Sequence, residues 1–179
     1  MRFSPDNSVL IVIDVQTRLT RLMQEHDVLS QRIVTLIKAA QMLKVPIITT
    51  EQAPDKIGET ILPIKELLKS EILKKRTFSC CGAGDFSAHL SSLKRKQIIV
   101  SGIETHVCVY QTVCDLREEQ YDVQVVADAT SSRTIINKEL ALERIRLTGA
   151  TLTSMEMIVC ELIKGADHPK FREIMDLIK

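Results

Sequence analysis

The sequence predicts an α/β fold in which a mostly parallel β-sheet carries helices on both faces. Short apolar runs rich in Val and Ile alternate with longer segments of helical periodicity. This alternation is typical of βαβ units, whose parallel strands are buried on both sides. The 179 residues contain no internal repeat and no linker-like segment. We therefore expect one domain over residues 1–179.

The first half of the chain begins with a strand that is closed by a carboxylate. Its run Val-Leu-Ile-Val-Ile is β-branched and apolar, and Asp14 follows directly. After it, the patterns predict a helix at 27–44, a strand at 45–51, a helix with a basic outer face at 60–74 and a loop at 75–87. Two closely spaced glycines, Gly82 and Gly84, support the loop.

The second half of the chain continues the alternation of strands and helices. The patterns predict a helix at 86–94, a strand at 97–102, a helix at 106–119, a strand at 122–128, a helix at 137–147, a strand at 150–153 and helices at 154–164 and 168–178. Gly165 and Pro169 separate the last two helices.

Composition argues against several classes of protein. The net charge is +1, aromatic residues make up 3% of the chain and Trp is absent, so we expect no nucleic-acid partner. No apolar run approaches the roughly 18 residues of a membrane span. The five cysteines form no disulfide framework and no zinc-ligand spacing. We expect reduced thiols in a cytoplasmic protein, with neither a metal nor another cofactor.

Three residues with chemically useful side chains stand at strand ends or in the glycine-rich loop. Asp14 closes the first strand, Lys75 opens the loop, and Cys108 follows the strand at 97–102. In open parallel sheets, ligands bind beyond the carboxyl ends of the strands. Each residue also has a plain structural interpretation: Asp14 as a cap, Lys75 on a solvated basic face, and Cys108 as a small buried hydrophobe. A helix N-terminus and a nearby lysine would lower the pKa of Cys108.

The order of these motifs resembles that of the isochorismatase-like cysteine hydrolases. The matching segments are VLIVIDVQ at 9–16, KRTFSC at 75–80 and SGIETHVCVYQT at 101–112. The resemblance implies that Asp14 and Lys75 are catalytic and that Cys108 is the nucleophile. Lys75, rather than Lys74, keeps the family's spacing to Phe78.

The resemblance also implies a three-layer α/β/α, Rossmann-like fold with a six-stranded sheet, and a homo-oligomer. It implies a cis peptide between Ile103 and Glu104, with the backbone N–H groups of Glu104 and Cys108 forming the oxyanion hole. We further expect Phe78, His106 and the segment TEQAP at 50–54 to form part of the substrate-pocket wall. Nicotinamidases of this superfamily carry histidine metal ligands before the lysine. In this sequence, His26 is the only histidine between residues 15 and 74. We therefore expect no metal.

The resemblance favours a hydrolase of a small amide-like C–N bond that uses an Asp–Lys–Cys triad and a thioester intermediate. Its substrate would be a small molecule. Two alternatives stay open at this point. One is an isochorismatase-type vinyl-ether hydrolase, which needs no cysteine nucleophile. The other is a non-catalytic, oligomeric interaction protein on the same fold.

Overall fold

A six-stranded parallel sheet forms the centre of the computed structural model, which describes residues 2–179. The strand order is β3-β2-β1-β4-β5-β6. The strands are β1 (Ser8–Ile13), β2 (Ile47–Gln52), β3 (Leu73–Lys75), β4 (Gln97–Ile103), β5 (Asp122–Ser131) and β6 (Thr151–Thr153).

Helices cover both faces of this sheet and complete a three-layer α/β/α sandwich. The α-helices are α1 (Thr17–Thr20), α2 (His26–Met42), α3 (Pro54–Ile57), α4 (Leu62–Lys65), α5 (Gly84–Ser92), α6 (Tyr110–Glu118), α7 (Ile135–Leu147), α8 (Met155–Ile163) and α9 (Phe171–Ile178). Helices α2, α8 and α9 share one apolar core with the sheet, and α5, α6 and α7 share the other. The predicted fold class is confirmed. Among the described residues, no helix combines the length and apolar character needed to cross a membrane.

Strand β1 shows why the sequence pattern is apolar without alternation. Leu10 and Val12 face the core formed with α2, whereas Val9, Ile11 and Ile13 face the core formed with α5 and α6. All five side chains are fully buried. A parallel strand between two helical layers needs apolar residues on both faces, so its carboxyl end is the first place where a polar side chain fits.

The predicted helix at 60–74 is wrong. Only α4 is helical there, and β3 pairs with β2 at the sheet edge, where Lys75 lies opposite Gln52. A three-residue edge strand is too short to show a period in the sequence, and its pairing comes from tertiary contact. Lys75 therefore lies on a strand, and not in a loop as expected. The strand prediction at 122–128 is too short by three residues, because β5 continues to Ser131.

The strand order places a crevice between β1 and β4. Chain order runs outward from β1 to β2 and β3, and then resumes on the other side of β1 with β4. Connections that leave two neighbouring strands in opposite directions open a cleft at the carboxyl ends of those strands. Asp14 follows β1, and the segment that carries Cys108 follows β4.

Gly102 allows β4 to approach β1 at this crevice. Its φ of +114° is unfavourable for residues with a side chain, and it lies opposite Ile13 in the ladder. A Cβ added at Gly102 would stand 2.2 Å from the carbonyl oxygen of Ile13. The close approach brings the carboxyl end of β4 next to Asp14, so a glycine is required here by both space and backbone angle.

We expect Gly102→Ala to lower the free energy of unfolding by about 3 kcal/mol or more, since a backbone clash adds to the strain of a positive φ. Urea denaturation followed by circular dichroism measures this loss. Gly84→Ala is the matched control, because a Cβ there meets no atom within 4 Å. A loss at Gly102 as small as that at Gly84 would contradict the packing argument.

Candidate active site

Asp14 lies at the bottom of the crevice as a fully buried carboxylate. Its backbone has a φ of +52°, a left-handed conformation that Asp tolerates better than most residues. The hydroxyl of Thr50, on β2, donates a hydrogen bond of 2.8 Å to Asp14 Oδ1. The end of β1 therefore turns sharply and presents its carboxylate to the neighbouring strands.

Lys75 reaches the same carboxylate from two strands away. Its Nζ lies 2.7 Å from Asp14 Oδ2, and both side chains are almost completely buried. The contact is a buried ion pair. Lys75 Nζ also donates to Gln52 Oε1 at 2.8 Å and to the Phe78 carbonyl at 2.9 Å.

Cys108 reaches the pair from the other side of β1. It lies in a π-helical turn, Thr105–Val109, that joins β4 to α6, and 6% of the residue is exposed. Asp14 and Cys108 are close enough for each to shift the pKa of the other. The structure thus brings together the three residues that the resemblance marks as catalytic, whereas Lys74 is exposed on the strand's other side.

Burial controls the charges at this site. Burial raises the pKa of Asp14, while Lys75 and the Thr50 hydroxyl oppose that rise. Burial has the largest single effect and lowers the pKa of Lys75, but the charge of Asp14 and the smaller effects of Cys108 and Cys80 together outweigh it. The pKa of Lys75 is therefore raised, and the ammonium stays charged at neutral pH. The buried site therefore contains a paired carboxylate and ammonium.

The thiol of Cys108 is neutral in this environment. Burial raises the pKa of Cys108, the negative charge of Asp14 raises it further, and Lys75 acts in the opposite direction. The expectation of a lowered thiol pKa is therefore wrong, because desolvation exceeds the effect of the ammonium. The proton of Cys108 has an acceptor nearby in Asp14, whose own pKa is raised by burial.

A second thiol lies beside the three residues. Cys80 is fully buried, with its Sγ 3.7 Å from the Thr50 hydroxyl, and its backbone N–H donates to the hydroxyl of Thr112. Burial raises the pKa of Cys80 to about 11. Cys80 therefore keeps its proton and forms part of the buried wall of the site, where it shares an apolar core with α5 and α6.

The remaining predicted site residues are Glu104, His106 and Phe78. The peptide between Ile103 and Glu104 is cis. The carboxylate of Glu104 accepts a hydrogen bond of 2.9 Å from Arg133 Nε. His106 Nδ1 lies 3.0 Å from the Ser132 hydroxyl, within hydrogen-bond distance, and the ring of Phe78 is 54% exposed. The oxyanion-hole and pocket-wall roles stay predictions.

Sequence reasoning placed the segment 50–54 in the pocket wall, but it missed that two β2 residues of this segment hold the charged pair. Thr50 binds Asp14, and Gln52 binds Lys75. Both lie at the carboxyl end of a strand beside β1, which was the one signal available for them. No group of three or more His, Cys, Asp or Glu side chains within residues 2–179 is arranged to hold a metal ion.

A family model described as the isochorismatase domain matches residues 8–157. The chain belongs to the isochorismatase family. A secreted isochorismatase effector, Isc1, of Phytophthora sojae is 39% identical over 184 aligned positions, which cover 99% of this chain and 87% of that protein. A secreted relative leaves the cytoplasmic location of this chain a prediction.

Two solved structures share the fold of this chain closely. A MAR1 ribonuclease from Caenorhabditis elegans has a TM-score of 0.94 and 38% identity, covering 99% of this chain and 92% of that one. The YcaC gene product of Escherichia coli, described as an octameric hydrolase of unknown specificity, has a TM-score of 0.89 and 24% identity. The match with YcaC covers 98% of this chain and 95% of the YcaC chain.

Replacing Lys75 by Met should lower the free energy of unfolding by about 3–5 kcal/mol at neutral pH, because it leaves the buried Asp14 carboxylate without its counter-charge. In this variant the folded-state pKa of Asp14 lies above its unfolded value. The destabilisation should therefore shrink as the pH falls and Asp14 takes up a proton.

Urea denaturation at several pH values measures both effects. Asp14→Asn/Lys75→Met is the control, because it removes both charges and should recover most of the stability at neutral pH. Equal instability of the single and double variants would show that the loss does not come from an unpaired carboxylate.

Proposed function

We propose that the chain is a cysteine-dependent hydrolase of a small amide-like C–N bond, with Asp14, Lys75 and Cys108 as its catalytic triad. Membership of the isochorismatase family supports a hydrolase in general. One observation supports the finer proposal above all. Lys75 Nζ lies 2.7 Å from Asp14 Oδ2 in a buried contact, and the Cys108 thiol is close enough to this carboxylate for Asp14 to raise the thiol pKa.

In the first half of the proposed reaction, Asp14 takes the proton of the Cys108 thiol as Sγ attacks the substrate carbonyl carbon. The new S–C bond turns the carbonyl oxygen into an oxyanion, held by the backbone N–H groups of Glu104 and Cys108. Donors of this kind are worth about 2.7–4 kcal/mol each. The C–N bond then breaks, and Asp14 gives its proton to the leaving nitrogen, which leaves a thioester on Cys108.

In the second half, water replaces the amine. Asp14 accepts a proton from the water as its oxygen attacks the thioester carbonyl. The S–C bond breaks, the acid product leaves, and the proton returns to Cys108 Sγ. Lys75 keeps its charge throughout, so its proposed role is to hold the Asp14 carboxylate ionised and oriented and to stabilise negative charge next to it.

The charge state of the site suits this sequence of proton transfers. A buried carboxyl whose pKa is raised is a better proton acceptor than an ordinary aspartate. A thiol whose pKa is raised keeps its proton until a carbonyl carbon is within reach. The thiolate then forms only during attack, when the bond to carbon compensates the cost of removing the proton.

We expect Cys108→Ser to lower kcat/KM on a small amide or ureide by roughly 10³-fold or more, as loss of a nucleophile does elsewhere. Asp14→Asn should cost roughly 10²–10⁴-fold as a lost general base. For the wild type, the acid limb of the pH–rate profile should lie above about 3.9, the ordinary carboxyl pKa, because burial raises the pKa of Asp14.

A panel of small amides and ureides, with ammonia or amine release as the readout, tests these values, and isochorismate and RNA are included in the panel. Turnover of the vinyl ether by Cys108→Ser would favour the ether-cleaving alternative. RNA cleavage that survives the same substitution would align the chain with the C. elegans ribonuclease. A chain inert on every substrate would leave the interaction protein as the better interpretation.

We also propose that the chain forms a homo-oligomer. The E. coli YcaC protein is octameric, and several large apolar side chains of this chain are exposed on its helices. Ile136, Leu140 and Leu147 of α7 are each more than half exposed. A lone chain would leave these side chains in water, whereas a second copy would bury them.

Multi-angle light scattering should give a mass that is a multiple of the chain's own. Leu147→Glu, at the side chain with 84% exposure, should shift that mass toward the single chain, while Leu62→Glu on α4 is the control at a comparably exposed site. A wild-type mass equal to one chain over the whole concentration range would contradict the proposal.

A further inference from the structure

The side chain of Gln52 contacts the candidate triad without belonging to it. Gln52 lies opposite Lys75 in the ladder between β2 and β3 and is 9% exposed. Its Oε1 accepts a hydrogen bond of 2.8 Å from Lys75 Nζ, and its Nε2 donates one of 2.8 Å to the carbonyl of Arg76. The amide thus links the ammonium of Lys75 to the backbone directly after β3.

The backbone of Gln52 is fixed separately, by a residue from the end of β1. Gln16, two positions after Asp14, accepts a hydrogen bond of 2.8 Å from Gln52 N–H and donates one of 3.0 Å to its carbonyl. The Gln16 amide also donates to the carbonyl of Gly58. Because these bonds use only the backbone of Gln52, a change of its side chain leaves them in place.

The neutral charge of Gln52 matters in this position. The ionisable groups that act on one another here are Asp14, Lys75, Cys108 and Cys80. A buried ammonium needs oxygen acceptors, or it loses its hydration without compensation. A carboxylate at position 52 would satisfy Lys75 too, but it would compete with Asp14 for the ammonium and add a negative charge beside the thiol.

We propose that Gln52 is a positioning residue that holds the Lys75 ammonium against Asp14. Because its oxygen is neutral, the positive charge of Lys75 acts on Asp14 and Cys108 without being partly neutralised by a further carboxylate. This inference rests on the proposed function of the triad. Among the described residues, the side-chain hydrogen bonds of Gln52 go to Lys75 and to the Arg76 carbonyl and not to Cys108 or Glu104, so we infer that it acts through Lys75. Loss of the Gln52 side chain should raise the pKa of the Cys108 thiol further, because Lys75 is the group that opposes the rise.

Two variants separate the charge from the contact. Gln52→Met and Gln52→Glu both lose the donor to the Arg76 carbonyl, and only Glu keeps an oxygen for Lys75. The readout is the rate of Cys108 alkylation by iodoacetamide as a function of pH, measured by peptide mass spectrometry on the folded protein. Thermal unfolding of each variant is recorded in parallel. This readout needs no knowledge of the substrate.

We expect Gln52→Met to slow alkylation of Cys108 by about threefold or more at a fixed pH near 8.5, the ordinary thiol pKa, since residues in one network couple by at least this amount. Gln52→Glu should slow it further, by about tenfold, because a nearby negative charge raises the thiol pKa. Gln52→Glu should nevertheless unfold at a higher temperature than Gln52→Met, since it retains the contact with Lys75.

A second pair of measurements tests whether Gln52 acts through Lys75. In the Asp14→Asn/Lys75→Met background, Gln52→Met should change the alkylation rate less than about 1.5-fold, as expected for uncoupled sites. Gln41→Met is the matched control, because the Gln41 amide also donates to a backbone carbonyl, that of Leu67, but far from the site on α2. It should leave the pH profile of Cys108 unchanged.

Equal effects of Gln52→Met and Gln52→Glu, or an effect of Gln52→Met that persists without Lys75, would overturn the proposal and leave Gln52 a purely structural residue. Asp14→Asn alone tests the triad separately. It should move Cys108 alkylation to lower pH, because Asp14 raises the thiol pKa. Failure of that shift would count against the proposed function, while the cycle between Gln52 and Lys75 would still decide the role of Gln52.

Discussion

The buried ion pair between Asp14 and Lys75 is the constraint on which the rest of the site depends. A carboxylate and an ammonium this deeply buried cost several kcal/mol each in lost hydration, and only close contact and further hydrogen bonds offset that cost. Thr50 and Gln52 supply those bonds from β2, the strand between the two charged residues. The strand order places β2 between β1 and β3, so β2 is the strand that can contact both charged residues.

The other side of the site depends on an approach between two backbones. Gly102 lies against Ile13 because it has no side chain, and the chain then turns through the cis peptide into the π-helical segment that carries Cys108. The charged pair and the thiol thus reach one crevice from opposite sides of β1. A doubly wound sheet provides such a crevice only where its connections leave in opposite directions.

The parts of the molecule that the sequence predicted are those with a local physical cause. The apolar run before Asp14 predicted a doubly buried strand, and the helical spacing at 27–44 predicted α2. Strand β3 was not predictable, because three residues are too few to show a strand-like alternation in the sequence. Its conformation comes from its pairing with β2. The contacts of Thr50 and Gln52 with the charged pair were missed for the same reason: their partners are far away in sequence and meet them only across the sheet.

The thiol shows why a site cannot be judged from its nearest charge alone. Lys75 lowers the pKa of Cys108, as the sequence suggested, but burial and Asp14 both raise it and together exceed the effect of the lysine. The same Asp14 that disfavours a free thiolate is the base that would receive its proton. In the proposed reaction, such a site would keep the thiol protonated until a carbonyl carbon is within reach, and the proton transfer and the new bond to carbon would then form together.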